Sequence, residues 1–202
     1  MKWYRPIPCD HTVENPLVCE ASNFALYNNW GAGPYRVENY FFQGKLISDW
    51  PDGVYVTTEK EKNDGIPDDV LQNSYMIPIF SRRLVDAIVS EEIKGFQFLP
   101  IDVLDFHKKN VGEYYIANCT TMIDAFDYGR SIYHRFPDDF INPDARGRIT
   151  CSKFVLIENK LDGHDIFRME GQPRAYFVSE KFVRMFRKHK FTGYSFQKVD
   201  LS

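Results

Sequence analysis

Apolar and polar positions follow the same pattern twice in this chain. From Ser81 to Ile101 (SRRLVDAIVSEEIKGFQFLPI) apolar residues first recur at helical spacing, with Leu84, Val85, Ile88 and Val89 on one face. They then alternate, through Phe96 and Phe98. Ser179 to Val199 (SEKFVRMFRKHKFTGYSFQKV) aligns with that stretch without a gap, pairing Ser81 with Ser179, Val85 with Val183, Gly95 with Gly193 and Phe98 with Phe196. The pattern predicts one unit used twice, over 77–101 and 175–199: strand, serine N-cap, amphipathic helix, glycine stop, aromatic strand. It expects Val85, Ile88, Phe98, Val183, Phe186 and Phe196 to be buried.

Elsewhere the pattern is mostly that of strands and turns. Residues 1–50 are punctuated by Pro6, Pro8, Pro16, Gly31, Gly33 and Pro34. Strands are predicted over 53–58 (GVYVTT), 113–118 (EYYIAN), 153–157 (KFVLI) and 165–169 (DIFRM), the last two around a turn at Leu161–Gly163. Residues 59–69 read as a charged loop and 134–150 as a long one, while 119–129 (CTTMIDAFDYG) fits no single element. The fold class expected is α+β. A β-rich portion over 1–70 and an α+β portion over 71–202 would share one core.

Composition narrows the function classes. The chain has 202 residues, 44% of them apolar, and a net charge of −3. That balance argues against a dedicated nucleic-acid binder, which needs clustered Lys and Arg. The first residues lack the apolar core of a signal peptide, and no apolar run approaches the length of a membrane span. The expectation is a cytoplasmic protein with reduced thiols at Cys9, Cys19, Cys119 and Cys151.

Candidate chemistry is sparse. Cys9, His11 and Cys19 lack a fourth ligand at zinc-site spacing, so no metal and no cofactor are expected. Gly31-Ala32-Gly33-Pro34 has neither the P-loop lysine nor the dinucleotide pattern. An enzyme would have to use Cys119 as nucleophile, with His107, His134 or His164 as base, or the carboxylates Asp124 and Asp127. Two charged surfaces stand out instead. One is acidic, through either Glu59, Glu61, Asp64, Asp68 and Asp69 or Asp138, Asp139 and Asp144 in the later loop. The other is the outer face of the second helix, basic through Lys181, Arg184, Arg187 and Lys188.

The segments IPIFSRRLVDAI (77–88), GFQFLPIDV (95–103), YYIANCTTMIDAFD (114–127), IFRMEG (166–171), YFVSEKFVRMF (176–186) and FTGYSFQKV (191–199) resemble the Imm11 immunity-protein family. Residues 1–70 match it only through Asp49-Trp50 before a strand. The resemblance implies a non-enzymatic bacterial protein that binds the C-terminal domain of a cognate toxin and neutralises it. It carries no catalytic residue over to this sequence. On that reading the acidic loops would meet a basic toxin, and the basic helix face would be the alternative for an acidic one.

Overall fold

The computed structural model describes residues 1–8, 18–19, 41–50, 52–57, 68–73, 76–105 and 107–202. Two six-stranded sheets dominate them. The first runs β2 (Val18–Cys19), β4 (Val70–Asn73), β5 (Ile79–Ser81), β7 (Asn110–Cys119), β6 (Phe96–Leu104), β3 (Tyr55–Thr57). The second runs β8 (Met122–Ile123), β12 (Ile166–Met169), β13 (Gln172–Ser179), β1 (Trp3–Pro8), β14 (Tyr194–Leu201), β11 (Val155–Leu156). Both sheets are parallel at their outermost pairs and antiparallel between.

The registers of the two sheets correspond residue by residue. Val70 pairs with Phe80 as Ile166 pairs with Val178. Tyr55 pairs with Asp102 as Val155 pairs with Asp200. Val18 faces Gln72 as Met122 faces Arg168. The correspondence is cyclically shifted at one strand. The place that β7 fills after β6 is filled in the second sheet by β1, from the other end of the chain. β1 thereby ties residues 3–8 into the C-terminal sheet.

Two α-helices occur among the described residues, α1 (Arg82–Ser90) and α2 (Glu180–Lys188). Each begins at a serine whose Oγ accepts a backbone N–H of the first turn: Ser81 from Leu84 at 3.3 Å, Ser179 from Phe182 at 3.5 Å. Their ends correct the sequence reading, because neither glycine is the helix stop. Glu92 (φ 52°) and Lys190 (φ 54°) take the left-handed position. Each exit closes with paired bonds, Glu92 N to Val89 O and Ile93 N to Ile88 O, and Lys190 N to Arg187 O and Phe191 N to Phe186 O. Gly95 (φ 119°) and Gly193 (φ 96°) come later, where the chain touches the opposite sheet. A Cβ on Gly95 would meet Ile166 O at 2.8 Å, and one on Gly193 would meet Val70 Cβ at 2.8 Å.

Alternation along the central strands buries both faces. Phe80, Ala117, Ile166 and Val178 point into a middle core with Leu84, Val85, Ile88, Phe182, Val183 and Phe186 from the two helices. Their strand neighbours Ile79, Ile116 and Leu71 enter one outer core, and Phe167 and Phe177 the other. Each such large apolar side chain contributes about 1.5–3 kcal/mol by leaving water. Phe98 and Phe196 are only half-buried against this core, contrary to the sequence expectation. They lie on the helix-facing side of β6 and β14, and Phe196 meets Phe182 and Phe186 through edge contacts at 6.1 and 5.1 Å.

Two further expectations change. The segment 134–150 is not one loop, since β9 (Ile132–Arg135) and β10 (Ile149–Lys153) pair as an antiparallel ribbon. The strands flanking Leu161–Gly163 do not pair with each other. β11 pairs with β14, and β12 with β13.

Candidate protein-protein interface

The β9–β10 ribbon belongs to neither large sheet. All four residues of β9 are exposed. Exposed large apolar side chains gather here: Tyr128 at 50%, Ile132 at 60%, Tyr133 and, near the tip, Ile141 at 91%. Phe126, buried in the core beneath the second sheet, anchors them. Its ring meets Tyr128 at 4.8 Å and Tyr133 at 5.4 Å, and those two meet each other at 5.4 Å. The tyrosines are thus fixed before any partner arrives, which lowers the ordering cost of association. Tyrosine is also a frequent anchor in protein interfaces.

At the loop end of the ribbon is a cleft of about 450 Å³, lined by Phe42, Phe136, Arg148, Thr150, Gln172 and Arg174 among others. The Phe42 ring meets two guanidinium groups, with Arg168 Cζ 4.8 Å and Arg174 Cζ 6.0 Å from its centroid. A second cavity of about 250 Å³ is more apolar and takes walls from both sheets, including Leu71, Ile77, Tyr176 and Tyr194.

The described residues cover the two acidic loops only in part. Glu59, Glu61 and Asp64 lie outside the described residues. Asp68 is half-buried, and its carbonyl accepts the Tyr114 hydroxyl at 3.0 Å. Asp69 is 6% exposed, and the fold itself uses its carboxylate. That carboxylate accepts from Ser81 Oγ (2.8 Å), Arg83 Nη2 (2.6 Å) and Thr192 N (3.0 Å). Asp138 and Asp139 are exposed on the ribbon loop, Asp138 in an ion pair with Arg135 at 2.7 Å. Asp144 sits in a 3-10 turn, Pro143–Ala145.

On α2, Lys181, Arg184, Arg187 and Lys188 are all exposed. Three of them also serve the fold. Lys181 Nζ donates to Glu92 O at 3.2 Å, Arg184 pairs with Glu180 at 3.1 Å, and Lys188 pairs with Glu91 at 3.3 Å. Lys181 and Lys188 therefore bridge α2 to the exit of α1.

The candidate catalytic groups hold structural posts. Cys119 is fully buried in the middle core, and desolvation pushes its thiol pKa up, away from the nucleophilic thiolate. Asp127 is held below the usual carboxylate range, first by a hydrogen bond from Ser202, then by the N–H groups of Arg130 and Gly129 that it caps. Asp124 pairs with Lys160 at 3.6 Å. Of the proposed bases, His134 stacks edge-on to Phe136 at 5.3 Å. Cys9 and His11 lie outside the described residues, and of Cys19 only the backbone pairing is described.

The sequence offered Asp69 only as a surface charge, missing its structural role, and did not reveal Asp165 or the ribbon's aromatic anchor. A signal for the two aspartates existed in Asp69-Val70-Leu71 and Asp165-Ile166-Phe167. The connection to the following serine differs in length between the copies, so an ungapped alignment stops short of it.

No helix among the described residues is long and apolar enough to cross a membrane. No curated protein matches the chain. The model of the immunity protein family Imm11 matches residues 12–200, which is most of the chain, and the protein therefore belongs to that family.

Proposed function

We propose that this protein is the cytoplasmic immunity partner of a bacterial toxin, and that it neutralises the toxin stoichiometrically by covering its active site. Family membership across residues 12–200 carries the reading. The rigid, exposed tyrosines of the β9–β10 ribbon support a binding role. Protection of a living cell requires dissociation constants near nanomolar, about −12 kcal/mol. A few desolvated aromatic or arginine anchors inside a polar rim can supply that. The matched registers of the two sheets support reading the strand–helix–strand units as copies of one element. On that reading their cores were kept while their exteriors diverged toward a partner.

The acidic residues Glu59, Glu61, Asp64, Asp68, Asp138 and Asp139 would steer a basic toxin domain. The α2 face would take their place for an acidic one. Charge acts mainly on the association rate. Changing Glu59, Glu61 and Asp64 to Lys therefore lowers the on-rate if the acidic set steers, and changing Lys181, Arg184 and Arg187 to Glu does so if the basic set does.

The deciding experiment co-expresses the chain with the toxin domain encoded beside it. The expected result is rescued growth through an equimolar complex. Rescue by substoichiometric protein, or repair of the toxin's target, would replace binding with an enzymatic reading.

A further inference from the structure

We infer that the cleft at the loop end of the ribbon receives an acidic, extended segment of the partner protein, whose carboxylates lie against Arg148 and Arg174. The inference rests on the toxin-binding reading and names the partner's chemistry at one place. Three chain segments build the cleft: Phe42 and Gln43, the ribbon through Phe136 and residues 148–150, and the β12–β13 turn through Gly171, Gln172 and Arg174. Both charged side chains in its lining are arginines, and no carboxylate contributes to that lining among the described residues. Glu170, at the same turn, is exposed and outside the lining. The volume, about 450 Å³, lies within the range of about 300–1,000 Å³ typical of built ligand sites.

Chemistry distinguishes the occupant. Guanidinium groups favour carboxylate or phosphate through planar, charge-assisted hydrogen bonds. Under the toxin-binding reading the partner is a protein, which brings carboxylates rather than phosphodiesters to the two arginines. Phe42 and Phe136 give the aliphatic stems of acidic side chains an apolar wall. The adjoining tyrosines Tyr128 and Tyr133 would extend the contact along the ribbon. Acidic residues steering the encounter do not conflict with a basic cleft, since one partner can present both signs at different places.

The test uses the full chain, labelled with nitrogen-15, and three probes: hexaglutamate, hexalysine and hexathymidylate. Hexaglutamate is expected to shift the amides of Arg148, Ile149, Thr150, Gly171 and Gln172, and hexalysine to leave them in place. Arg148→Glu with Arg174→Glu abolishes the shifts, and Arg148→Lys with Arg174→Lys retains part of them. No shift with hexaglutamate, shifts confined to other surfaces, or stronger occupancy by hexathymidylate overturns the proposal. These maps use the unmodified protein, so they decide even if the double Glu variant does not fold. With the toxin itself, the folded double Glu variant is expected to bind at least tenfold more weakly. Unchanged toxin affinity sinks the cleft while leaving immunity intact. Failure of the unmodified chain to bind the toxin sinks the immunity reading, and the hexaglutamate map then judges the cleft alone.

Discussion

Removing Asp69 should destabilise the protein more than removing Asp165, although the two aspartates hold corresponding positions. Each carboxylate receives the hydroxyl proton of a helix-capping serine, at 2.8 Å for Ser81 and 3.2 Å for Ser179. That fixes the serine oxygen as the acceptor that each helix N-terminus needs, and places negative charge where the helix dipole favours it. Each also accepts a backbone N–H from the strand lead-in of the other half, Thr192 N at 3.0 Å for Asp69 and Lys94 N at 3.2 Å for Asp165. Asp69 alone adds a guanidinium, with Arg83 Nε at 3.2 Å and Nη2 at 2.6 Å. The residue of α2 corresponding to Arg83 is Lys181, which turns away to Glu92 O. Hydrogen bonds to a charged group are worth about 1.5–3 kcal/mol each and do not add fully. Asp165→Ala should therefore cost about 2 kcal/mol. Breaking a fully buried ion pair costs about 3–5 kcal/mol. The Arg83 side chain is 60% exposed, however, so solvent screens its share to about 1 kcal/mol or less. Asp69→Ala should then cost about 3 kcal/mol, a fall of about 10 °C in Tm for a chain of this size. Urea unfolding of the two variants, with Arg83→Ala and the Asp69→Ala/Arg83→Ala pair to close a cycle, measures each quantity. Equal losses for the two aspartates would refute the reasoning, as would an Arg83→Ala loss as large as that of Asp69→Ala.

Gly193→Ala should cost about 3 kcal/mol or more, because the positive φ alone costs about 1–2 kcal/mol and the new Cβ would press on the Val70 backbone. Gly53→Ala, at φ +72° with open space around it, should cost about 1 kcal/mol; similar Tm values for the two variants would contradict the packing argument. Stability should also fall in alkali. Burial raises the pKa of Cys119, Tyr176 and Tyr194, and the Tyr176 hydroxyl donates to that of Tyr194 at 2.5 Å. All three are neutral when protonated, so folded values above unfolded ones give stability that is complete below the unfolded pKa and lost as pH rises. The fall should begin above about pH 8.5 for the thiol and about pH 10 for the phenols. Tyr176→Phe with Tyr194→Phe should flatten the upper part of the curve of unfolding free energy against pH, and an unchanged alkaline slope would count against the assignment.

Local signals carried the helices. Ser81 and Ser179 cap as the sequence implied, and Leu84, Val85, Ile88, Phe182, Val183 and Phe186 are buried, whereas Val89, read onto the same face as Leu84, is 62% exposed at the end of its helix. These features are decided within one turn of chain, so neighbouring residues are enough to read them. The glycines were misread because two causes can give the same residue. A helix exit and a close backbone approach both favour Gly, and only the position of Val70 and Ile166 across the fold tells them apart. The ribbon was missed because all four residues of β9 are exposed, so it lacks the alternation that marks a half-buried strand, and β10 buries only Ile149 and part of Cys151 within a short polar run.

The larger correspondence between the sheets was hidden for a different reason. Its middle strand is supplied by β7 in one sheet and by β1 in the other, so no linear alignment can register them. Tyr114 stands opposite Ser81 and Ile101, and Trp3 stands opposite Ser179 and Val199. Only the hydrogen-bonded register makes Trp3 and Tyr114 equivalent. It also explains why the first eight residues matter to a core built mostly by the last fifty. Trp3 is 1% exposed and packs edge-on to Phe167 at 5.1 Å, in the same outer core that holds Phe126. This middle strand of the second sheet therefore supports the aromatic anchor from which Tyr128 and Tyr133 project. A lesion in β1 would reach the proposed interface through packing, without touching a partner.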